Sequence, residues 1–161
     1  MQSPRSPYCK LFAIMANRIF TRSIAIIYLL FGVCAFVPAC NGAPSPNTPD
    51  SLKVMLHFEN LFGQFPMNYL LGAVLIGYGV AGLAASVRFE SSRAFARVLF
   101  VTAVVLMGLG LCPMPVGTLG GLIPLFEWTT GFFLVTSLLT LYFAFFDGPL
   151  PASANRPVFK Q

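Results

Sequence analysis

The stretch RIFTRSIAIIYLLFGVCAFVP, at residues 18–38, joins an Arg-x-Phe-x-Arg motif to fifteen uncharged residues and a proline. The same order recurs at residues 93–113, which run from Arg93 and Arg97 through fifteen uncharged residues to Pro113. A helix of about 20 apolar residues crosses the hydrocarbon core of a bilayer, and an arginine near its end reaches back to the headgroups. Each stretch therefore predicts a membrane-spanning helix with arginines at its start.

The composition of the chain also indicates a lipid environment. Of the 161 residues, 57% are hydrophobic and only 9% are charged, whereas a soluble domain carries about 25% charged residues. The uncharged windows predict helices, because a backbone in lipid must satisfy its own hydrogen bonds. The predicted fold is an all-α bundle of four transmembrane helices within residues 18–146. The predicted spans lie near residues 20–39, 67–87, 95–112 and 124–146.

The positions of the ten Lys and Arg residues predict how the chain is threaded. Nine of them lie on one side, namely before or at the start of the first predicted span, between the second and the third or at the start of the third, or after the fourth, and only Lys53 lies elsewhere. Because cytoplasmic loops carry the excess of basic residues, we expect a bacterial inner-membrane protein with both termini in the cytoplasm. Residues 1–17 are then a cytoplasmic segment and residues 147–161 a disordered cytoplasmic tail. The arginines expected to anchor the cytoplasmic side are Arg18, Arg22, Arg93 and Arg97.

The two arginine motifs also predict an internal repeat. The motif and its proline recur after 75 residues, and the Gly-x-x-Pro of residues 63–66 recurs 58 residues later at 121–124. Each half crosses the membrane twice, so a duplication gives two helical hairpins in the same orientation, which is a parallel repeat. Chance similarity between apolar segments is the alternative.

The second predicted helix carries small residues at four-residue spacing. Small residues on one face let another helix approach closely, which drives association in lipid. Packing within the chain and a seam between two copies are both consistent with this pattern. The residues of this predicted packing face are Ala73, Gly77, Ala81 and Ala85.

The first outer loop contains an amphipathic segment at residues 53–65. Apolar residues such as Val54, Phe58 and Leu61 share one helical face, with polar residues on another. This pattern predicts an interfacial helix that lies on the outer membrane surface and ends at Pro66.

Four polar or aromatic residues near the outer ends of the helices form a candidate mouth, namely His57, Asn68, Tyr69 and Glu127. A single histidine does not supply the three or four ligands of a zinc site, so no metal is expected. Stabilisation by the start of the fourth helix explains Glu127, although an acid within the membrane is also a functional candidate.

Two of the four cysteines, Cys40 and Cys112, lie at the outer ends of the first and third predicted helices. In an oxidising compartment they are candidates for a disulfide, but a bridge needs a Cα separation that the sequence does not supply. Cys34 is interpreted as a small buried hydrophobic residue.

Three stretches resemble a family of small four-helix bacterial membrane proteins classified as a domain of unknown function, and more distantly the DoxX-like proteins. They are IAIIYLLFGVCAFVP, LFGQFPMNYLLGAVLIGYGVAGLAA and GLIPLFEWTTGFFL, and the resemblance covers most of residues 18–146. It implies a fold and a location without a function. The family pattern continues from Pro66 and Asn68 to histidines, but Leu71 and Leu75 stand at those positions here, which removes the best candidate ligands.

The function that we expect is that of a non-catalytic accessory or scaffold subunit, without enzyme activity or a cofactor. Its expected partners are the lipid bilayer and other membrane proteins or a second copy. The alternative is a small-molecule or ion transporter or carrier that acts as an oligomer through the candidate mouth. The basic residues form no run and no aromatic platform, so we expect no nucleic-acid partner.

Overall fold

The computed structural model describes residues 7–43, 59–113, 118–120 and 122–146, which are mostly helical. The helices within these ranges are α1 (Pro7–Cys34), α2 (Tyr69–Ala85), α3 (Phe89–Gly110) and α4 (Trp128–Leu141), and a π-helical turn (Tyr142–Phe146) continues α4. Three helical segments are long and apolar enough to cross a membrane, while α2 is apolar but shorter. These three segments are Ile14–Cys34, Phe89–Gly110 and Trp128–Phe145.

The ends of the helices differ from the predicted ones. Helix α1 begins at Pro7, inside the segment predicted to precede the first span, and α3 begins at Phe89 rather than near residue 95. Charge was the criterion for these predicted starts, but Arg and Glu are good helix formers and do not end a helix. Helix α1 ends at Cys34, before the predicted end, and a 3₁₀ turn follows at Pro38–Cys40. Proline disfavours the helical conformation in the residue before it, which explains the early end.

A small antiparallel sheet lies where part of the interfacial helix was predicted. Its strands, in the order β1-β2-β3, are β1 (Asn41–Gly42), β2 (Glu59–Leu61) and β3 (Phe65–Met67). Phe62 and Gly63 both have positive φ angles, 53° and 74°, so a helix cannot continue through them. The predicted helix is therefore wrong over residues 59–65. The rest of that segment, including His57, lies outside the described residues.

Helix α1 packs along α2, and α3 packs along α4, so the helices form two hairpins. Glycines let α1 and α2 approach closely. A Cβ on Gly32 would lie 2.7 Å from the Gly72 carbonyl oxygen, and a Cβ on Gly79 would lie 2.8 Å from the Leu29 nitrogen. Neither position has room for a larger residue, so the first hairpin depends on backbone contact.

The buried positions of the two hairpins occur at constant offsets. In α3, the buried residues Ser92, Ala96, Leu99 and Ala103 each follow a buried residue of α1 by 75 positions. Four of the five buried residues of α4, namely Thr129, Phe133, Ser137 and Thr140, each follow a buried residue of α2 by 58 positions, and the fifth, Thr136, follows the half-buried Tyr78. These offsets equal those of the sequence motifs.

Candidate functional site

The arginines of both motifs lie at one end of the bundle, which we call the arginine end. Arg18 Nε donates to the Ser86 carbonyl at 3.1 Å, while Arg93 Nε and Arg97 Nε donate to the Ala144 carbonyl at 3.3 and 3.4 Å. Carbonyl groups at the end of a helix lack donors within the helix, and a cation is favourable there. The arginines therefore tie the first helix of each hairpin to the end of the second.

The phenylalanines of the two motifs pack between hairpins. The Phe20 ring on α1 stacks on the Phe143 ring with centroids 4.0 Å apart. On α3, the Phe95 ring lies so close to α2 that a Cβ on Gly82 would come within 2.8 Å of it. Each Arg-x-Phe-x-Arg motif thus contacts both hairpins.

The opposite end, which we call the sheet end, contains the candidate mouth residues, but the structure does not bring them together in an open site. Asn68 is buried; its Oδ1 accepts from the Leu71 amide at 2.8 Å, and its Nδ2 donates to the Leu122 carbonyl at 2.7 Å. It caps α2 and joins it to the loop before α4, so its prediction as a mouth-lining residue is wrong. Tyr69 is exposed and stacks on Phe36 with ring centroids 5.3 Å apart.

Glu127 stands at the start of α4 as predicted, on the exposed surface. Its φ angle is 52°, and its side chain does not cap the helix. Two residues later, Thr129 is buried and donates to the Pro66 carbonyl at 2.9 Å, which links α4 to β3. Nothing in the sequence around Thr129 predicts that contact.

The contact between α1 and α4, which we call the α1–α4 seam, contains buried hydroxyl groups that the sequence analysis missed. Tyr28 is 2% exposed, packs on Phe132, and has Thr136 as the polar neighbour of its hydroxyl group. The hydroxyls of Tyr28 and Thr21 make no hydrogen bond of adequate geometry within the described part of the chain. An unsatisfied buried hydroxyl costs about 1–3 kcal/mol. The seven-residue spacing of Thr21 and Tyr28, which places them on one helical face, was the available signal.

The contact between α2 and α3, which we call the α2–α3 seam, has its polar groups paired. The hydroxyls of Tyr78 and Thr102 lie 2.7 Å apart, and Ser92 Oγ donates to the Ala85 carbonyl at 3.2 Å. Phe95 also contacts Gly82 and the Tyr78 ring in this seam.

The predicted packing face of α2 points away from the bundle. Ala73, Gly77 and Ala81 are exposed, Ala85 is half-buried, and a Cβ on Gly77 would meet no atom within 4 Å. Of the two interpretations of this face, packing within the chain is not seen among the described residues, because α2 uses Gly72, Gly79 and Gly82 instead. An open groove of about 400 Å³ follows the outward face. Its lining residues are Val74, Gly77, Tyr78, Ala81, Phe95 and Val98.

The model of a protein family described as a domain of unknown function, DUF4383, matches residues 18–146. The chain belongs to the DUF4383 family. The DUF4383 match contains both arginine motifs, all three strands and three complete helices, and it begins within α1. No curated protein and no solved structure matches the chain.

The cysteines within the DUF4383 domain are free thiols in the structure, and the Cys40–Cys112 disulfide stays a prediction. Cys34 and Cys40 are half-buried, and Cys112 is exposed. Across the described ranges, no three side chains from His, Cys, Asp or Glu gather into a group that would hold a metal ion.

Proposed function

We propose that this chain is a four-span protein of the bacterial inner membrane, built from two duplicated hairpins, that acts as a non-catalytic scaffold or accessory subunit. The observation that carries the proposal is the outward face of α2. Gly77 lies in the middle of a helix, where glycine costs about 1 kcal/mol relative to alanine, yet no contact within the described chain requires it. A helix of another membrane protein, or of a second copy, packs against such a face.

Besides the three long apolar segments, the proposal requires α2 to cross the membrane as well. Its 17 residues extend about 25 Å at 1.5 Å per residue, which is short of a bilayer core of about 30 Å. Local thinning of the bilayer accommodates a mismatch of this size. The capped start at Asn68 supports the span, because it leaves the helix few unsatisfied amides near the headgroups.

The duplication is supported by contacts that recur with the two offsets. The bond from Arg18 to the Ser86 carbonyl becomes the bond from Arg93 to the Ala144 carbonyl when 75 and 58 are added. The bond from Asn17 Nδ2 to the Phe143 carbonyl becomes the bond from Ser92 Oγ to the Ala85 carbonyl when 75 is added to the donor and 58 is subtracted from the acceptor. Chance similarity of apolar sequences does not explain matching polar contacts.

The orientation is supported by the grouping of basic residues, because cytoplasmic ends carry the excess of Lys and Arg. Reporter fusions test it. A reporter that is active only in the periplasm should be active after Asp50 and after Gly117, and inactive after Glu90 and at the C-terminus. Activity after Glu90 would overturn the proposed threading.

The scaffold proposal is tested by purification in mild detergent followed by mass spectrometry of associated chains. Gly77→Leu should reduce recovery of the associated protein, or of a tagged second copy, at least about tenfold, a loss of about 1.4 kcal/mol. Gly108→Leu is the matched control, since Gly108 is also exposed in a helix and has open space around it. A wild-type chain recovered alone, or equal losses in both variants, would count against the proposal.

A second candidate function is an oligomeric transporter or carrier of small molecules or ions. The buried hydroxyls of Thr21 and Tyr28 on α1 favour it, because they extend polar chemistry into the middle of the bundle. For this function, Glu127→Gln should abolish uptake without lowering the amount of inserted protein. Unchanged uptake, or reduced abundance alone, would identify Glu127 as an interfacial residue.

A further inference from the structure

The second hairpin brings two guanidinium groups to one carbonyl oxygen at the arginine end. Arg93 Nε and Arg97 Nε both donate to the Ala144 carbonyl, at 3.3 and 3.4 Å. The carbonyl end of a helix carries about half a negative elementary charge, which is less than the charge of two arginines. Two cations side by side also attract an anion more strongly than one cation does. The pair therefore favours a bound anion.

An apolar surface adjoins this pair on the outside of α3 and α4. Arg97 is exposed, and its Cζ lies 6.0 Å from the centroid of the Phe145 ring. The Phe145 ring is itself 51% exposed and packs edge to face against Phe100, with centroids 5.5 Å apart. One turn further along α3, Val101 is also exposed. An aromatic ring attracts a cation near it, so Phe145 helps to hold the guanidinium group beside the apolar surface.

We propose that this surface, formed by Arg93, Arg97, Phe100, Val101 and Phe145 and called here the Arg97 site, binds an anionic phospholipid. The contact of Arg97 with the Ala144 carbonyl is made by Nε, and the two Nη atoms of an arginine carry four further N–H groups. Such groups donate paired hydrogen bonds to the oxygens of a phosphate. The acyl chains of the lipid then lie along Phe145 and Val101.

The position of the Arg97 site in the bundle fits a lipid better than a free phosphate ion. Both of its helices, within Phe89–Gly110 and Trp128–Phe145, are long and apolar enough to cross a membrane. The site lies near the start of the first segment and at the end of the second, where a spanning helix meets the headgroups. Basic positions between helices at this level bind anionic headgroups. A free phosphate ion would make no use of the exposed apolar side chains.

The inference depends on membrane insertion of α3 and α4. It does not depend on whether α2 crosses the membrane or on which side the termini lie. The Arg97 site is also separate from the groove of the scaffold proposal, whose lining residues on α3 are Phe95 and Val98. Failure of one proposal therefore leaves the other standing.

The first hairpin supplies a matched control, because its motif lacks this arrangement. Arg22 precedes Arg97 by 75 positions, but within the described ranges Arg18 is the one arginine that donates to the Ser86 carbonyl. The residue 58 positions before Phe145 is Val87, which has no ring. Arg22 thus has the same charge and the same place in its motif without a paired guanidinium group or an aromatic neighbour from the second helix of its hairpin.

The test measures lipid binding to the full chain, purified in mild detergent, by native mass spectrometry at increasing concentrations of phosphatidylglycerol. Phosphatidylcholine, which has no net charge, is the lipid control, and wild type should bind it at least about tenfold more weakly. Arg97→Gln should weaken the binding of phosphatidylglycerol at least about fivefold, whereas Arg22→Gln should stay within about twofold of wild type. An excess of inorganic phosphate should not displace the bound lipid.

Three results would overturn the Arg97 site. Equal affinity of the wild type for the two lipids would show that the negative charge is not recognised. Equal losses in Arg22→Gln and Arg97→Gln would show attraction to general charge rather than to one place. Displacement of phosphatidylglycerol by inorganic phosphate would identify a site for the free ion.

Arg97→Lys provides the measurement if Arg97→Gln unfolds, as judged by circular dichroism. Lysine keeps the positive charge but lacks the planar fork that pairs with phosphate oxygens. Arg97→Lys should therefore weaken the binding of phosphatidylglycerol by about threefold. Binding as tight as that of wild type would contradict recognition by the guanidinium group.

Discussion

The α2–α3 and α1–α4 seams each contain a tyrosine, and the two hydroxyl groups differ in their hydrogen bonding. Tyr78 in the α2–α3 seam is paired with Thr102, whereas Tyr28 in the α1–α4 seam is buried without an adequate hydrogen bond among the described residues. The rings of Tyr28 and Tyr78 meet edge to face with centroids 6.3 Å apart, so the difference arises within one layer of the bundle. One seam is thus a completed polar contact, and the other retains capacity for a further hydrogen bond.

The two sides of the bundle also differ in the size of their outward residues. On α2, Gly77 and Ala81 leave the groove beside the α2–α3 seam. On α4, the residues 58 positions later are Val135 and Leu139, which are exposed and large. Lipid is as apolar as these side chains, so shape rather than hydrophobicity distinguishes the two surfaces. Under the proposed scaffold function, the groove side is where a partner helix would pack.

The substitution with the largest expected effect on stability disrupts the α2–α3 seam. In Gly82→Leu, the new side chain would meet Ala25 and Phe95 at 2.7–2.8 Å from its Cβ, so we expect a loss of about 3 kcal/mol of unfolding free energy. Gly108→Leu, which adds the same side chain to open space on α3, is the control. The measurement is denaturant unfolding in micelles, followed by circular dichroism. Equal stability of Gly82→Leu and wild type would contradict the close contact.

A smaller effect sharpens the comparison of the two tyrosines. Tyr78→Phe removes a made hydrogen bond and should lower stability by about 0.6–1 kcal/mol, whereas Tyr28→Phe should leave it unchanged or raise it by about 1 kcal/mol. Both variants lose a tyrosine hydroxyl group, and they differ in whether that hydroxyl has a hydrogen-bond partner in the wild type. If Tyr28→Phe is instead the more destabilised, the Tyr28 hydroxyl has a partner such as bound water, and the two seams are alike.

The smallest expected effect concerns the arginine end. Arg18→Ala removes a cation from the end of α2 and should cost about 0.5–1 kcal/mol at low salt, with a smaller loss at high salt. Arg22→Ala, at an exposed position of the same motif, should stay within about 0.5 kcal/mol of wild type. Identical losses in both variants would show that the carbonyl contact of Arg18 contributes nothing beyond general charge.

The existence of the apolar helices and the family could be read from the sequence, but the inward face of α2 could not. A helix in a soluble protein shows its buried side by hydrophobic contrast, whereas α2 is apolar all around and has small residues on two faces. Ala73, Gly77 and Ala81 followed a regular spacing, yet Gly72 and Gly79 form the contact with α1. Only the position of α1 in the folded chain distinguishes the face of α2 that packs from the face that stays outside.

The sheet end was predicted poorly for two further reasons. The helix predicted from the amphipathic pattern of residues 53–65 takes no account of the backbone at Phe62 and Gly63. Their left-handed conformation favours a turn between strands. The polarity of Asn68 and its place near the outer end of a helix predict a residue of the candidate mouth, but a capping side chain is satisfied by backbone groups and can be buried fully. Local hydrogen bonding, rather than polarity, decides where such residues lie.

The π-helical turn at Tyr142–Phe146 has a consequence for biosynthesis. Its carbonyls at Phe143 and Ala144 accept from Asn17 on α1 and from Arg93 and Arg97 on α3. Ribosomes make this turn after all of those donors, so the earlier helices enter the membrane before their acceptors exist. A nascent chain stopped short of residue 143 would hold three donors without these acceptors, and completion of the last helix is the step that closes the bundle.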